Sequence, residues 1–219
     1  MSYAIDTSHP SPNHGPRVGA DISMICLHAT VGGIKSSLAW LTNPASRVST
    51  HYLIDKTGYI YQLVADDRAA WHAGASQWFG LDSGDIQRQS LGIELENKNN
   101  GVDPYPPAQM TALLELSRHL VTTYQIVPDM VVRHLDIAIP KGRKTDPASF
   151  PWAQFKSALY THTVTAGPHG AIAQEDRRPG ALAARYYPPG TPIVCDDLTS
   201  SYWHVAAGDG FIPVGQVQA

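Results

Sequence analysis

The sequence has little cysteine, and this excludes two ways of stabilising a fold or building a site. Cys26 and Cys195 are its only cysteines, and they lie far apart in the chain. Two cysteines make neither the disulfide framework of a small secreted domain nor a zinc site of four cysteines. We therefore expect both thiols to be free.

The chain also lacks an excess of charge and long apolar runs. Charged residues make up 16% of it and the formal net charge is -3, which gives no electrostatic reason to expect a nucleic acid partner. No run of about 18 apolar residues occurs, so we predict no membrane insertion. Residues 1–20 lack the basic start and apolar core of a secretory signal, so no signal peptide is expected.

Apolar patterning predicts an α/β domain over residues 1–160, because strands alternate with helices. The predicted strands are 22–27, 48–54, 59–64, 91–95 and 130–133, and the predicted helices are 34–41, 108–124 and 151–160. Asp55-Lys56-Thr57-Gly58 supplies the turn of a β-hairpin between the second and third strands. Residues 66–90 are predicted to form loops.

The C-terminal part has a different pattern. Residues 161–170 have no periodic apolar pattern and are predicted to be a linker. Residues 171–219 contain short apolar runs separated by Pro-Gly and Gly-Asp-Gly turns, which is typical of a small all-β module.

Three potential metal ligands follow predicted strands or lie in a loop. His28 directly follows strand 22–27, His134 follows strand 130–133, and Asp146 lies in a loop with glycine and prolines. Catalytic zinc sites use three nitrogen or oxygen ligands and keep a fourth position open. Spacing alone supports this triple only weakly, because the chain has ten histidines.

Five segments carry a more specific signal: LHAT (27–30), VSTHYLID (48–55), AAWHAG (69–74), SLGIELENKN (90–99) and RHLDIAIPKGRKTDP (133–147). In this order they resemble the successive motifs of the zinc N-acetylmuramoyl-L-alanine amidases of the type 2 amidase family, which is related to the peptidoglycan recognition fold. The resemblance implies a central mixed β-sheet flanked by helices, a Zn²⁺ cofactor, and His28, His134 and Asp146 as its ligands.

The same resemblance implies two catalytic side chains. Glu94 takes the place of the general base, and Lys144 takes the place of the group beside the substrate oxygen. Alternation along a strand would put Glu96 on the same face as Glu94, so Glu96 stays an alternative base.

Four further residues are expected to bind substrate: His51, Trp71, His72 and Asn97. Trp71 and His72 lie in a predicted loop, where an indole offers an apolar face to a sugar or a peptide. For His51 the alternative is a packed, hydrogen-bonded histidine within its strand.

Residues 171–219 loosely resemble bacterial SH3-like wall-binding modules, through a Tyr-Pro-Gly turn, a tryptophan strand and a Gly-Phe-Ile-Pro close. Tyr186, Tyr187, Tyr202 and Trp203 would form an aromatic platform for peptidoglycan, or else the core of the module.

These expectations combine into a predicted function. The chain is expected to be a monomeric amidase that cuts the bond between N-acetylmuramic acid and L-alanine, made in the bacterial cytoplasm and acting at the cell wall. A phage endolysin released through a holin and a bacterial autolysin both fit. The alternatives are a cytosolic amidase that recycles anhydro-muropeptides and a peptidoglycan-binding protein without catalysis. A glycosidase that uses Glu94 with Glu96 is disfavoured, because the two would be neighbours on one strand face, whereas the carboxylates of a glycosidase flank the scissile bond.

Overall fold

The computed structural model describes residues 4–174, 183–198, 202–205, 210–213 and 216–218. The chain divides into two compact units, Met1–Phe150 and Pro151–Ala219. No helix in this described part of the chain combines the length and the apolar character needed to cross a membrane.

The first unit contains eight strands and four α-helices among its described residues. The strands are β1 (Ile5–Asp6), β2 (His14–Pro16), β3 (Met24–Ala29), β4 (Tyr52–Ile54), β5 (Ile60–Gln62), β6 (Arg68–Ala70), β7 (Ser90–Leu95) and β8 (Val131–Arg133). The helices are α1 (Ile34–Leu41), α2 (Ser83–Gln89), α3 (Pro107–Tyr124) and α4 (His134–Ile137), with 3-10 turns at Pro44–Ser46 and Pro128–Met130.

Six of these strands form a mixed sheet in the order β1-β5-β4-β7-β3-β8. The hairpin pair β4–β5 is antiparallel, whereas β4–β7, β7–β3 and β3–β8 are parallel. Every residue of β3 is buried, as the apolar run that leads to His28 predicts for a strand covered on both faces. The predicted mixed α/β sheet is therefore confirmed.

The hairpin turn has the predicted glycine chemistry. Gly58 has a positive φ of 85°, and a Cβ at this position would lie 2.7 Å from the Ala108 carbonyl oxygen. Asp55 Oδ1 accepts hydrogen bonds from the backbone N–H groups of Thr57 and Tyr59, which closes the turn. Glycine is therefore required both by the backbone angle and by the closeness of α3.

The predicted loop at 66–90 contains two elements. Strand β6 pairs with β2 to form a separate two-stranded sheet. Helix α2 begins with a capping box, in which Asp82 accepts the backbone N–H of Asp85 and Asp85 accepts that of Asp82. Short polar elements of this kind have no apolar stripe, so hydrophobic periodicity does not reveal them.

The second unit contains helix α5 (Trp152–Tyr160) and the strands β9 (His162–Ala166), β10 (Ala171–Gln174), β11 (Ala183–Tyr187), β12 (Pro192–Leu198), β13 (Tyr202–Val205), β14 (Phe211–Pro213) and β15 (Val217–Gln218). The strands form a sheet in the order β11-β10-β14-β13-β12-β9-β15, and the described pairings are antiparallel. Its core includes Tyr187, Ile193, Cys195, Val205 and Ile212.

Two of the predicted boundaries need correction. The expected linker at 161–170 contains β9, whose backbone pairs with both β12 and β15. Its sequence THTVTA is rich in β-branched residues, which favour extended backbone even where no apolar alternation is visible. Helix α5, placed in the first domain by the sequence prediction, belongs to the second unit. Both cysteines are free, as predicted, and both are buried.

Candidate metal centre and catalytic cleft

The candidate centre lies at the carboxyl ends of three parallel strands. In the register of β3 and β7, His28 is directly opposite Glu94. Strand β8 pairs with the other side of β3 and leads directly into α4, whose first residue is His134. Parallel strands end at the same edge of a sheet, so these three side chains converge although they are distant in sequence.

Asp146 completes a group of three buried potential ligands with His28 and His134. His134 Nδ1 lies 3.0 Å from His28 Nδ1 and 3.0 Å from Asp146 Oδ2, and His28 Nδ1 lies 3.5 Å from that same oxygen. Two imidazole nitrogens and a carboxylate oxygen are the donor set of a three-ligand catalytic zinc site. The structure therefore brings together all three residues that the resemblance implied.

The electrostatics of this group suit cation binding. Burial, together with the neighbouring His134, lowers the pKa of His28 to about 4. Burial alone would raise the pKa of Asp146, but the imidazoles of His134 and His28 beside it hold that pKa well below its ordinary value. A neutral imidazole and an ionised carboxylate are the forms that bind a metal ion.

His134 is fixed in orientation by a backbone group. Its Nε2–H donates a hydrogen bond to the carbonyl oxygen of Ala73 at 3.1 Å. A carbonyl only accepts, so the proton of a neutral His134 lies on Nε2 and the lone pair of Nδ1 points at the ligand group. Asp136 caps α4 by accepting the backbone N–H of Arg133, which positions the first turn of this helix.

A cleft of about 380 Å³ opens beside the three ligands, and we call it the central cleft. Its walls include Trp40, Trp71, His72, Glu94 and Lys144. The indole of Trp40 is 58% exposed at the rim. Trp40 was not predicted from sequence, because its place in a short amphipathic helix gives no sign of a cleft.

Glu94 and Glu96 have separate roles. Glu94 lines the central cleft, and its Oε2 is buried with no hydrogen-bond partner among the described residues. Strand β7 ends at Leu95, so Glu96 leaves the strand face; its two carboxylate oxygens accept the backbone N–H groups of Ile34 and Lys56. Glu96 thus holds the start of α1 in place, and Glu94 alone of the two faces the ligands.

The carboxyl group of Glu94 binds its proton unusually tightly. Burial raises its pKa to about 8, with a further contribution from the negative charge of Asp146, while Lys144 opposes the shift. Perturbed acids in a cleft are characteristic of catalytic sites.

The expected substrate residues divide into two pairs. Trp71 and His72 line the central cleft. His51 is fully buried: its Nδ1 accepts the backbone N–H of Gly92 and its Nε2 contacts the Arg68 carbonyl oxygen. We therefore correct the prediction for His51, which is a packed histidine that ties β7 to β6.

Asn97 also needs correction. It is 1% exposed, its Nδ2 donates to the Asp103 carbonyl oxygen, and its Oδ1 accepts the backbone N–H of Asn99. This amide organises the loop after β7 and does not reach the central cleft.

A second group of potential ligands contains Cys26, His28 and His72. Burial raises the pKa of the Cys26 thiol well above its ordinary value, which keeps the sulfur protonated. Thiols ligate metals as thiolates, so this group is a poorer metal site than the first.

A continuation of the central cleft carries positive charge, and we call it the cationic branch. Its walls include Arg47, Trp71, Arg143 and Lys144, and no Asp or Glu is among its described lining residues. Arg47 and Arg143 were not among the expected substrate residues, although Arg47 directly precedes the segment 48–55 and Arg143 lies within the segment 133–147.

The chain matches a known protein family and several of its curated members. The family described as N-acetylmuramoyl-L-alanine amidase (Amidase_2) matches residues 18–149. The chain is 40% identical over 167 residues to the N-acetylmuramoyl-L-alanine amidase AmiD of Escherichia coli strain K12, covering 69% of this chain and 57% of AmiD. It is 40% identical over 118 residues to the 1,6-anhydro-N-acetylmuramyl-L-alanine amidase AmpD of the same strain, covering 53% of this chain and 61% of AmpD.

Solved structures agree as well. An AmpD crystal structure superposes with a TM-score of 0.61 at 31% identity, covering 73% of this chain and 96% of that one. A complex of E. coli AmiD with anhydro-N-acetylmuramic acid-L-Ala-D-gamma-Glu-L-Lys gives a TM-score of 0.57 at 37% identity, covering 69% of this chain and 61% of that one. The chain thus spans about three fifths of the length of these two curated relatives. On the strength of the family match over residues 18–149, the chain belongs to the N-acetylmuramoyl-L-alanine amidase family Amidase_2.

Proposed function

We propose that this protein is a zinc-dependent hydrolase of the amide bond between N-acetylmuramic acid and L-alanine in peptidoglycan. The observation that carries the proposal is the convergence of His28, His134 and Asp146 in one cleft with Glu94 and Lys144. A peptidoglycan-binding relative without catalysis would need neither the carboxyl group of Glu94 nor the ammonium group of Lys144 beside the three proposed ligands.

His28, His134 and Asp146 are the residues that would hold the zinc ion. Zinc bound there would supply a Lewis acid and would lower the pKa of a coordinated water molecule to about 7. The three ligand atoms lie within 4.8 Å of one another, which suits a single small cation. The open side of the group faces the central cleft, where a substrate carbonyl would enter.

Glu94 is the general base in this proposal. Its carboxylate takes a proton from the attacking water molecule and delivers one to the departing nitrogen of L-alanine. Glu94 Oε2 has no hydrogen-bond partner within the described part of the chain, which leaves that oxygen available to a water molecule in the cleft.

Lys144 is the proposed stabiliser of the developing oxyanion. It lines the central cleft together with Asp146, two positions away along the same segment. An ammonium group aimed at the substrate oxygen lowers the barrier because negative charge grows on that oxygen in the transition state.

The cationic branch is the proposed binding site for the stem peptide. The ligand named in the AmiD complex contains a γ-linked D-glutamate, which carries a free α-carboxylate. Arg47 and Arg143 offer guanidinium groups for such a carboxylate. Trp71 and Trp40 offer apolar faces to the sugar ring or the peptide backbone.

The second unit is proposed to be an SH3-like module that binds wall material. Its fold is an antiparallel sheet with one helix. Of the expected aromatic platform, Tyr187 is buried in the core and Tyr186 is 55% exposed. The side chains of Tyr202 and Trp203 lie outside the described part of the chain. Tyr186 is therefore the residue on which wall binding would be tested first.

The second candidate function is recycling of soluble anhydro-muropeptides, since the relative AmpD is named as a 1,6-anhydro-N-acetylmuramyl-L-alanine amidase. Wall lysis, by an endolysin or an autolysin, requires activity on insoluble sacculi, whereas recycling requires activity on the soluble fragment only. Release of stem peptide from both substrates by the whole chain would favour wall lysis.

The decisive experiment is digestion of purified peptidoglycan by the wild type and by His28→Ala, with zinc content measured on both. We expect new amino termini of L-alanine with the wild type and neither zinc nor activity with the variant. New reducing sugar ends would instead indicate a glycosidase. Unchanged hydrolysis by metal-free His28→Ala would overturn the proposal.

A further inference from the structure

His28 is the first member of a series of hydrogen bonds that leads away from the ligand group. Its Nε2 lies 3.0 Å from His72 Nδ1, and His72 Nε2 lies 2.9 Å from Ser90 Oγ. Ser90 Oγ in turn lies 2.5 Å from the carbonyl oxygen of Ile86, in the last turn of α2. We call these four residues the histidine relay.

The direction of each bond follows from its far end. A carbonyl oxygen only accepts, and two oxygens 2.5 Å apart repel each other unless a proton lies between them. Ser90 therefore donates its single hydroxyl proton to Ile86, and its oxygen can only accept from His72. This puts the proton of His72 on Nε2 and leaves a lone pair on Nδ1.

The tautomer of His72 determines that of His28. A neutral His72 with a lone pair on Nδ1 accepts the bond, so His28 donates through Nε2–H. The proton of His28 is then on Nε2, and its Nδ1 lone pair faces His134 Nδ1 and Asp146. His134 presents the same kind of lone pair, because its Nε2–H donates to Ala73.

We propose that the histidine relay holds His28 in the tautomer that binds zinc. Ser90 determines which atom donates in each hydrogen bond of the relay. His72 is a positioning residue that acts through His28. Both of its ring nitrogens are hydrogen-bonded within the protein, whereas the sequence predicted that His72 binds substrate. Hydrogen bonds from neighbouring protein groups to ligating histidines raise metal affinity by fixing the tautomer and the ring orientation.

The packing around His72 supports this role. A Cβ on Gly92 would lie 2.6 Å from His72 Cγ and 2.8 Å from His72 Cδ2. Real Cβ atoms do not approach so closely, so only glycine at this position of β7 leaves room for the ring. The His72 side chain is 9% exposed and is held from two sides, by the backbone of Gly92 and by Ser90.

The test compares Ser90→Ala with Ser11→Ala. Ser11 is a matched control, because its buried hydroxyl also donates to a carbonyl oxygen, that of Leu41, at 2.5 Å. Unlike Ser90, it has no hydrogen bond to a histidine among the described residues. Zinc affinity is measured by competition with a chelator on the whole protein. We expect Ser90→Ala to bind zinc about 10- to 100-fold more weakly than the wild type, and Ser11→Ala to match the wild type.

A second readout needs no metal. Long-range ¹H–¹⁵N spectra of the zinc-free wild type are expected to show His28 protonated at Nε2 and unprotonated at Nδ1. In Ser90→Ala we expect a mixture of the two His28 tautomers, because nothing then directs the proton of His72. If Ser90→Ala does not fold, His72→Leu removes the acceptor of His28 and replaces it in the affinity measurement.

The inference rests on the proposed zinc site, and the two can fail separately. A wild type that binds no zinc would overturn the proposed function, whereas equal zinc affinity in the wild type and Ser90→Ala would overturn the relay alone. A proton on Nδ1 of His28 in the zinc-free wild type would also overturn the relay, whether or not either variant folds.

Discussion

Glu94 lies directly opposite His28 in the parallel pairing of β7 with β3, so the proposed base and a ligand leave adjacent strands at the same level. The pairing of β3 with β7 therefore fixes the distance between the backbones of the two residues. No loop needs to order for the two groups to meet, and substitutions at either position can therefore be interpreted without a large structural change.

Glu94→Gln is expected to abolish most of the activity and to retain zinc. Removing a general base typically costs about 100- to 10,000-fold in kcat. The ligands His28, His134 and Asp146 are untouched, so zinc content should stay at the wild-type level. Hydrolysis of a soluble muropeptide and metal analysis on the same sample provide the check; activity within a few-fold of the wild type would show that Glu94 is not the base.

Glu96→Ala is the contrasting substitution. It removes the acceptor of the Ile34 and Lys56 backbone N–H groups but leaves the cleft intact. We expect a loss of about 1–2 kcal/mol in the free energy of unfolding and kcat close to the wild type. Urea unfolding and steady-state kinetics measure the two effects, and a collapse of kcat with unchanged stability would reverse the roles assigned to the two acids.

The pH dependence of stability should reveal the tightly held proton of Glu94. Its pKa in the folded, zinc-free protein is raised to about 8 from an ordinary value of 4.5, so the folded state binds the proton more tightly than the unfolded state. The contribution of this group is therefore complete below about pH 4.5 and is lost as the pH rises to about 8.

Glu94→Gln removes that dependence, since glutamine does not titrate. The free energy of unfolding of the zinc-free wild type should fall relative to that of Glu94→Gln between about pH 5 and about pH 8. Taking this difference cancels the contributions of the buried histidines. Their lowered pKa values make the free energy of unfolding increase as the pH rises to about 6.5, which is opposite to the effect of Glu94. Parallel curves would mean that the carboxyl group of Glu94 is not desolvated.

Lys144→Ala is expected to lower kcat by about 100-fold, the usual cost of one donor to a developing oxyanion. Lys144→Arg keeps the charge and should retain more of the activity than alanine does. Zinc affinity should change little in either variant, because Lys144 is not a ligand. A change in KM alone would place Lys144 with the substrate-binding residues.

Arg47→Ala tests the cationic branch separately from the chemistry. If this branch binds the carboxylates of the stem peptide, KM should rise about 10-fold or more, since hydrogen bonds to charged groups contribute about 1.5–3 kcal/mol. The kcat value should remain near that of the wild type. A substrate whose glutamate α-carboxylate is amidated should show a smaller difference between wild type and variant, and an equal difference would argue against this assignment.

Much of the first unit is predictable because its elements are apolar and regular. Helix α1 spans Ile34–Leu41 as predicted, and the strands that carry His28 and Glu94 are correct to within a few residues. The resemblance of five ordered motifs supplied the ligand set, which spacing alone could not. The structure brings the three proposed ligands together, and no local sequence pattern could have predicted that contact.

The errors have physical causes of two kinds. His51 and Asn97 stand in motifs typical of an active site, yet their polar atoms bind backbone groups, and only three-dimensional packing distinguishes such a residue from a cleft residue. The linker at 161–170 was wrong because pairing with β12, distant in sequence, creates β9. Nothing in the sequence marked Ser90 as part of the site, since a serine at the start of a strand is common.

The wide sequence separation of the ligands has a consequence for how the protein resists degradation. His28 and His134 are 106 positions apart, and more than half of the first unit lies between them. A zinc ion bound to both would close a very long loop, and opening that loop would require the ion to dissociate first. Loss of metal should therefore shorten the lifetime of the chain in the presence of proteases, even under conditions in which the metal-free fold is still the stable state.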